Sequence, residues 1–291
     1  MLLNFCIAFP ATIFFYAASY VVAVKLFPHT NDIYFTADAV FGVVYYPLLV
    51  WLAFDATYQL AWDKESRWFG STNSSRWLAV AITSRMTFHL IFLLRKKMSK
   101  QERAIFVIHH CFCIAVYGCG YINDKCHFWG AFTAMCEITN VFLTFLELYM
   151  SSKRKGEVQI YMHDVVPHPK KKMVIHQKQK QNYRLSNKTR LFKTNSVLLC
   201  LSYAIFRIIL FPVFLGLWLY DVYSHPEMTW KHPDMGLMER YMYPFTAMLM
   251  LVLSINWFFP IYNGMLKTLG YRISSQKMRE LIPEGYHEHV M

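Results

Sequence analysis

The 291-residue sequence contains no C-x-x-C pair and no His/Cys spacing of the kind that holds zinc. No metal site is expected. The seven cysteines are odd in number and lie mostly in apolar stretches, which argues against a disulfide framework. Cys111 and Cys113 read as lipid-facing packing residues. Cys119 and Cys126 flank a short turn where a pair could form, with plain packing as the default reading. No stretch reads as a soluble domain, and no internal repeat marks an inverted-repeat transporter. Acidic residues are scarce, 18 against 30 Lys and Arg.

What the chain has instead is long apolar runs, with 55% of its residues apolar or aromatic. A bilayer core about 30 Å thick needs about 20 apolar residues per helical crossing. Seven runs meet that length: Leu2–Val24, Tyr34–Tyr58, Trp77–Leu94, Ala104–Ile122, Phe128–Met150, Ser196–Tyr220 and Tyr241–Leu266. Backbone in hydrocarbon must satisfy its own hydrogen bonds, so each run should be a helix. The expected fold is an all-α polytopic membrane protein, a bundle of about seven transmembrane helices. The second run is the least clean, because Asp38 and Asp55 sit near its ends. The first resembles a signal peptide but lacks a basic leader, and is read as a span.

A formal charge of +12 could suggest a nucleic-acid partner, but its distribution argues against one. With seven spans, 22 of the Lys and Arg fall on one face and six on the other, while Arg85 and Arg207 lie within spans. Twelve of the 22 occupy the single connection 151–193, and five more lie in 95–103. The positive-inside rule places that face in the cytosol, the N-terminus outside or lumenal, and the C-terminus cytosolic. The loop 151–193 should attract anionic lipid head groups. It also serves as a solvated topology signal, and its His163-Asp164 pair has no partner at helical spacing. Of two N-x-[ST] sequons, Asn73 falls on the lumenal side and Asn187 in the cytosolic loop.

Ionisable residues inside spans are costly and usually face the bundle interior. Arg85 and His89 sit four residues apart on the third span, on one helical face. "FVIHHCFCIAVYG" places His109 and His110 in the fourth span, pointing about 100° apart. On the fifth, Thr133, Glu137, Asn140, Thr144 and Glu147 recur along one stripe. On the sixth, Ser196, Cys200, Tyr203 and Arg207 do the same, and the seventh carries Asn256. The spans read as unbroken. The plain alternative is that Arg207 neutralises Glu137 and that the Thr and Asn residues bridge helices as packing.

At this point the chain resembles TLC-domain proteins, over roughly Ser71 to Leu269. The marks are His109-His110, "CEITNVFLTFLEL" at 136–148, "FRIILFP" at 206–212 and "NWFFPIYNGMLK" at 256–267. The domains are then two N-terminal helices (1–70), the TLC domain (71–269) and a cytosolic tail (270–291). The resemblance extends to ceramide synthases, which join an acyl-CoA to a sphingoid amine using paired histidines and an H-D-x-x-D-type stretch. Here His109 and His110 match the pair, Glu137 and Asn140 stand where the two carboxylates would be, and Cys136 replaces the His. The E-x-T-x-x-F form is closer to the TLC-domain-containing branch, linked to membrane lipid composition. The resemblance therefore implies lipid homeostasis in the endoplasmic reticulum or a connected membrane.

Three functions stay open. The first is a non-catalytic protein that holds a membrane lipid in a polar intramembrane cavity. The second is an N-acyltransferase with His110 or His109 as general base and Glu137 orienting it. Arg85, His89, Asn140, Arg207 and Asn256 would then bind substrate. Acyl-CoA would be a co-substrate entering from the basic face, and no cofactor is expected. The third is a proton-coupled transporter using the same polar stripe.

Overall fold

The computed structural model describes residues 2–30, 32–93, 100–151 and 190–270. Most of the basic loop 151–193, with His163-Asp164 and Asn187, lies outside the described residues. So do 94–99 and nearly all of the tail. Among the described residues the chain is helical with no strand. The seven spans are Leu2–Leu26, Ile33–Leu60, Asn73–Leu93, Lys100–Asn123, His127–Ser151, Arg190–Ser224 and Leu237–Leu269. Six of them are long and apolar enough to cross a membrane. The remaining one, Asn73–Leu93, has its apolar character diluted by Arg76, Arg85 and His89.

Boundaries reflect local chemistry. The Asp32 carboxylate accepts from the Phe35 N–H at 3.0 Å and caps the second span. Asp63 does the same for a short helix, Lys64–Phe69, accepting from the Ser66 N–H at 2.9 Å. The seventh span ends at Gly270, whose φ of 97° suits a residue without Cβ. Each long helix begins where the previous one finished, so consecutive spans run antiparallel. One end of the bundle carries the termini of the basic loop; Thr36 and Ser151 meet there at 3.1 Å.

Six spans close a ring in the order second, third, fourth, seventh, sixth, fifth and back to the second. The first span packs outside it, against the second and third. The fifth span is not uniform. Its first half, His127–Ala134, touches the second, third, fourth, sixth and seventh spans and so occupies the centre of the ring. Its second half, Ile138–Ser151, moves out into the wall beside the second and sixth. The ring is therefore filled at one end. Phe128, Trp129, Trp68, Trp218, Phe211 and Phe214 are each 2% exposed or less there. The Trp68 ring lies 4.4 Å from that of Trp218 and 5.4 Å from that of Trp129, centroid to centroid. This aromatic floor leaves polar side chains to line the ring toward the basic end.

Beneath the floor a buried ion pair ties the Lys64–Phe69 helix to the sixth span. Arg67 donates through Nε to Asp221 at 2.8 Å and through a terminal nitrogen at 2.6 Å. The Trp68 indole adds a third bond to the same carboxylate at 3.1 Å. All seven cysteines are free thiols, so Cys119 and Cys126 are not paired. Cys113 is buried, against the expectation that it faces lipid; Cys111, two residues and about 200° away, is exposed.

Candidate functional site

The third span supplies Arg85 and His89 from one face, and both reach Asp38 of the second. Arg85 makes an ion pair with Asp38 and lies over the Phe41 ring at 4.8 Å. His89 Nε2 stands 4.0 Å from the other Asp38 oxygen. Across the interface, His89 Nδ1 meets His110 Nε2 at 2.8 Å. His110 Nδ1 donates to the Phe106 carbonyl at 2.7 Å, one helical turn back. A carbonyl can only accept, so His110 carries its proton on Nδ1 and a neutral ring offers Nε2 as acceptor. His89 then donates from Nδ1, and a chain of contacts runs Phe106, His110, His89, Asp38, Arg85.

Asp38 is the member that reading the sequence did not assign. It registered only as a flaw near the end of an apolar run. The signal available was its spacing from Gly42 and Tyr46, which places the three on one face.

The two adjacent histidines part as expected, their ring planes 89° apart. His110 is 4% exposed and bonds across to the third span. His109 is half-buried with Cys113 Sγ at 3.7 Å from Nδ1.

A second group lies on the fifth and sixth spans. Both helices, expected to be unbroken, change pitch here. Met135–Glu137 forms a 3-10 turn and Ala204–Ile209 a π-helical turn, and the two touch. A 3-10 turn advances about 20° more per residue than an α-helix, so three residues rotate the remainder of the helix by about 60°. That rotation brings Thr139, outside the predicted stripe, to Arg207: the guanidinium Nε donates to Thr139 Oγ1 at 2.9 Å. Arg207 also lies 5.4 Å over the Tyr203 ring. Glu137 instead accepts from the Asn140 amide at 2.6 Å and from the Cys136 thiol at 3.9 Å.

Glu137 and Arg207 therefore form no ion pair within 4.0 Å, contrary to the simplest expectation for a buried acid and base. Nor does Glu137 bond either histidine, so it does not orient the pair. Asn256 is exposed on the outer surface of the seventh span and is not brought to the site; Ser254, two residues earlier, is the side chain that turns inward. Buried Ser196, Cys200, Tyr203 and Arg207 share a face as predicted.

Tyr46 stands between the groups, within electrostatic reach of Asp38, Arg85 and Glu137. His109 likewise senses Arg207. At the opposite end, a shallow hollow lined by Gln59, Ser71 to Ser74 and Arg76 contains none of these residues.

A helical ring with an aromatic floor and ionisable groups drawn from five of its spans defines a multi-pass membrane protein with a polar interior. The TLC-domain family model matches residues 33–263, well over half of the chain, and the protein belongs to that family. The match takes in the second span and hence Asp38. No curated protein and no solved structure matches the chain.

Proposed function

We propose that the protein holds a membrane lipid inside the ring and contributes to membrane lipid homeostasis by binding rather than by transforming it. The observation that carries this reading is the occupancy of His110. Both its nitrogens are bonded, to Phe106 and His89, and no carboxylate of the fifth span supports it. A general base needs a free lone pair within reach of the proton it takes. The half-buried Glu137, Asn140, His89 and His109 suit contact with a head group instead.

The test is native purification with lipid analysis. One lipid class enriched over the source membrane, together with an altered cellular lipid profile on deletion, is the expected result. Co-purified lipid that mirrors bulk membrane would contradict it.

One observation favours a second reading, acyl transfer from acyl-CoA to an amine. His109 is engaged only by a thiol and is the better-placed base of the pair. Labelled acyl transfer in microsomes that disappears in His109→Ala but survives in Asn256→Ala would establish it. The pitch changes in the fifth and sixth spans also weaken one objection to proton-coupled transport, which uptake into proteoliposomes would test. On either lipid reading the protein resides in the endoplasmic reticulum or a connected membrane, N-terminus lumenal and C-terminus cytosolic. The basic connection then faces anionic lipid on the cytosolic side.

A further inference from the structure

Among the described residues, Arg207 differs from the other two buried arginines, each of which has a carboxylate partner. Arg67 has Asp221, and Arg85 has Asp38. Arg207 is 6% exposed, and among the described residues it has no carboxylate within ion-pair distance. Its one hydrogen bond leaves through Nε to Thr139, so both terminal nitrogens remain available. Glu137 is in the complementary position. One carboxylate oxygen is taken by Asn140, while the other has only a thiol at 3.9 Å. Arg207 lies within electrostatic reach of Glu137 without an ion pair to it.

A cation and an anion held apart in a low-dielectric interior attract strongly, and direct pairing would offset part of the cost of burying each. Here Thr139 and Asn140, adjacent on the fifth span, hold the two side chains on separate partners. A ligand that brings an anion to Arg207 and a cation to Glu137 would complement both charges at once. Guanidinium matches phosphate through paired N–H donors. The under-bonded Glu137 oxygen can accept a hydrogen bond, which a primary ammonium donates along with its charge and a trimethylammonium cannot.

We infer that Arg207 and Glu137 form the two poles of a head-group site for a zwitterionic phospholipid with a primary ammonium, the phosphate on Arg207 and the ammonium on Glu137. The inference rests on the lipid-binding reading above and names the lipid class. Thr139 and Asn140 act as positioning residues that keep the poles separate.

The experiment uses the full chain in detergent, offered equal amounts of phosphatidylethanolamine, phosphatidylcholine and phosphatidic acid of matched acyl chains. The expected result is retention of phosphatidylethanolamine at least tenfold over phosphatidylcholine, with phosphatidic acid weaker. Glu137→Gln should bring phosphatidylethanolamine and phosphatidic acid level while keeping both bound. Arg207→Gln should lose both at least tenfold. Should Arg207→Gln fail to fold, Glu137→Gln decides the matter alone.

Equal retention of phosphatidylethanolamine and phosphatidic acid by the parent, unchanged in Glu137→Gln, would overturn the two-pole site yet leave lipid binding standing. Retention of none of the three, with another lipid co-purifying, would overturn the head-group class. No retained lipid of any kind would overturn the function itself. Soluble glycerophosphoethanolamine should not compete at equal concentration, because it lacks the acyl chains; competition would overturn a lipid as the ligand.

Discussion

Asp221 has no accessible surface, and its three hydrogen bonds come from Arg67 and Trp68. Removing one member of a buried pair leaves the other charge uncompensated, which typically costs about 3–5 kcal/mol. Asp221→Asn should therefore unfold at markedly lower temperature in detergent, by an amount a thermal melt resolves, whereas Glu227→Gln, on an exposed neighbour, should not. At this scale the sequence marks buried charges by contrast. Arg85, His89, His110 and Arg207 stand out because apolar residues flank them on both sides. Asp38 and Asp221 do not, since each lies within one or two turns of a helix end, where a charge ordinarily meets water. Pairing was harder to read than burial. Glu137 and Arg207 look like partners by depth, yet each hydrogen-bonds a neutral neighbour instead of the other, because a short change of helical pitch rotates the fifth span between them.

Elements were the most legible level. All seven spans lie within a few residues of where the apolar runs place them. The pitch changes at Met135–Glu137 and Ala204–Ile209 carry no comparable mark, since hydrophobicity shows where a helix runs and says little about how tightly it winds. Contact between elements yields a sharper test. A Cβ added at Gly42 of the second span would stand 2.7 Å from Thr144 Oγ1 of the fifth. Gly42→Ala should destabilise by about 1–3 kcal/mol, and Thr144→Ala in the same chain should recover much of that loss in a double-mutant cycle.

A second element-scale test concerns the clasp between the third span and the turn after the fourth. There Arg76 donates to Asp124 at 2.7 Å. The Arg76 hydrogen bond and charge hold the Asp124 carboxyl below its ordinary pKa. A depressed folded-state pKa contributes stability above the unfolded carboxylate value and loses it as pH falls through the folded one. Both groups are partly exposed, so the contribution is at most about 1 kcal/mol. The melting difference between Arg76→Gln and the parent should accordingly be small at neutral pH and vanish in acid.

For the whole molecule, charge asymmetry and the odd number of spans fix one orientation relative to the other in the sequence reading. A glycan on Asn73, exposed at the start of the third span, is compatible with that orientation; one on Asn187 would reverse it. Ring closure was not legible at all, because apolar runs are silent on which helices touch. The central claim is that the polar side chains of separate spans share an interior reached from the basic end, while the outer surface meets lipid. Single-cysteine accessibility measures this directly, with the parent's own thiols as background. His89→Cys and Asn140→Cys should react with a small charged thiosulfonate applied from the basic side, while Asn256→Cys should react only with a membrane-partitioning maleimide. The reverse pattern, with 256 open to the charged reagent and 89 and 140 shielded from it, would contradict the account.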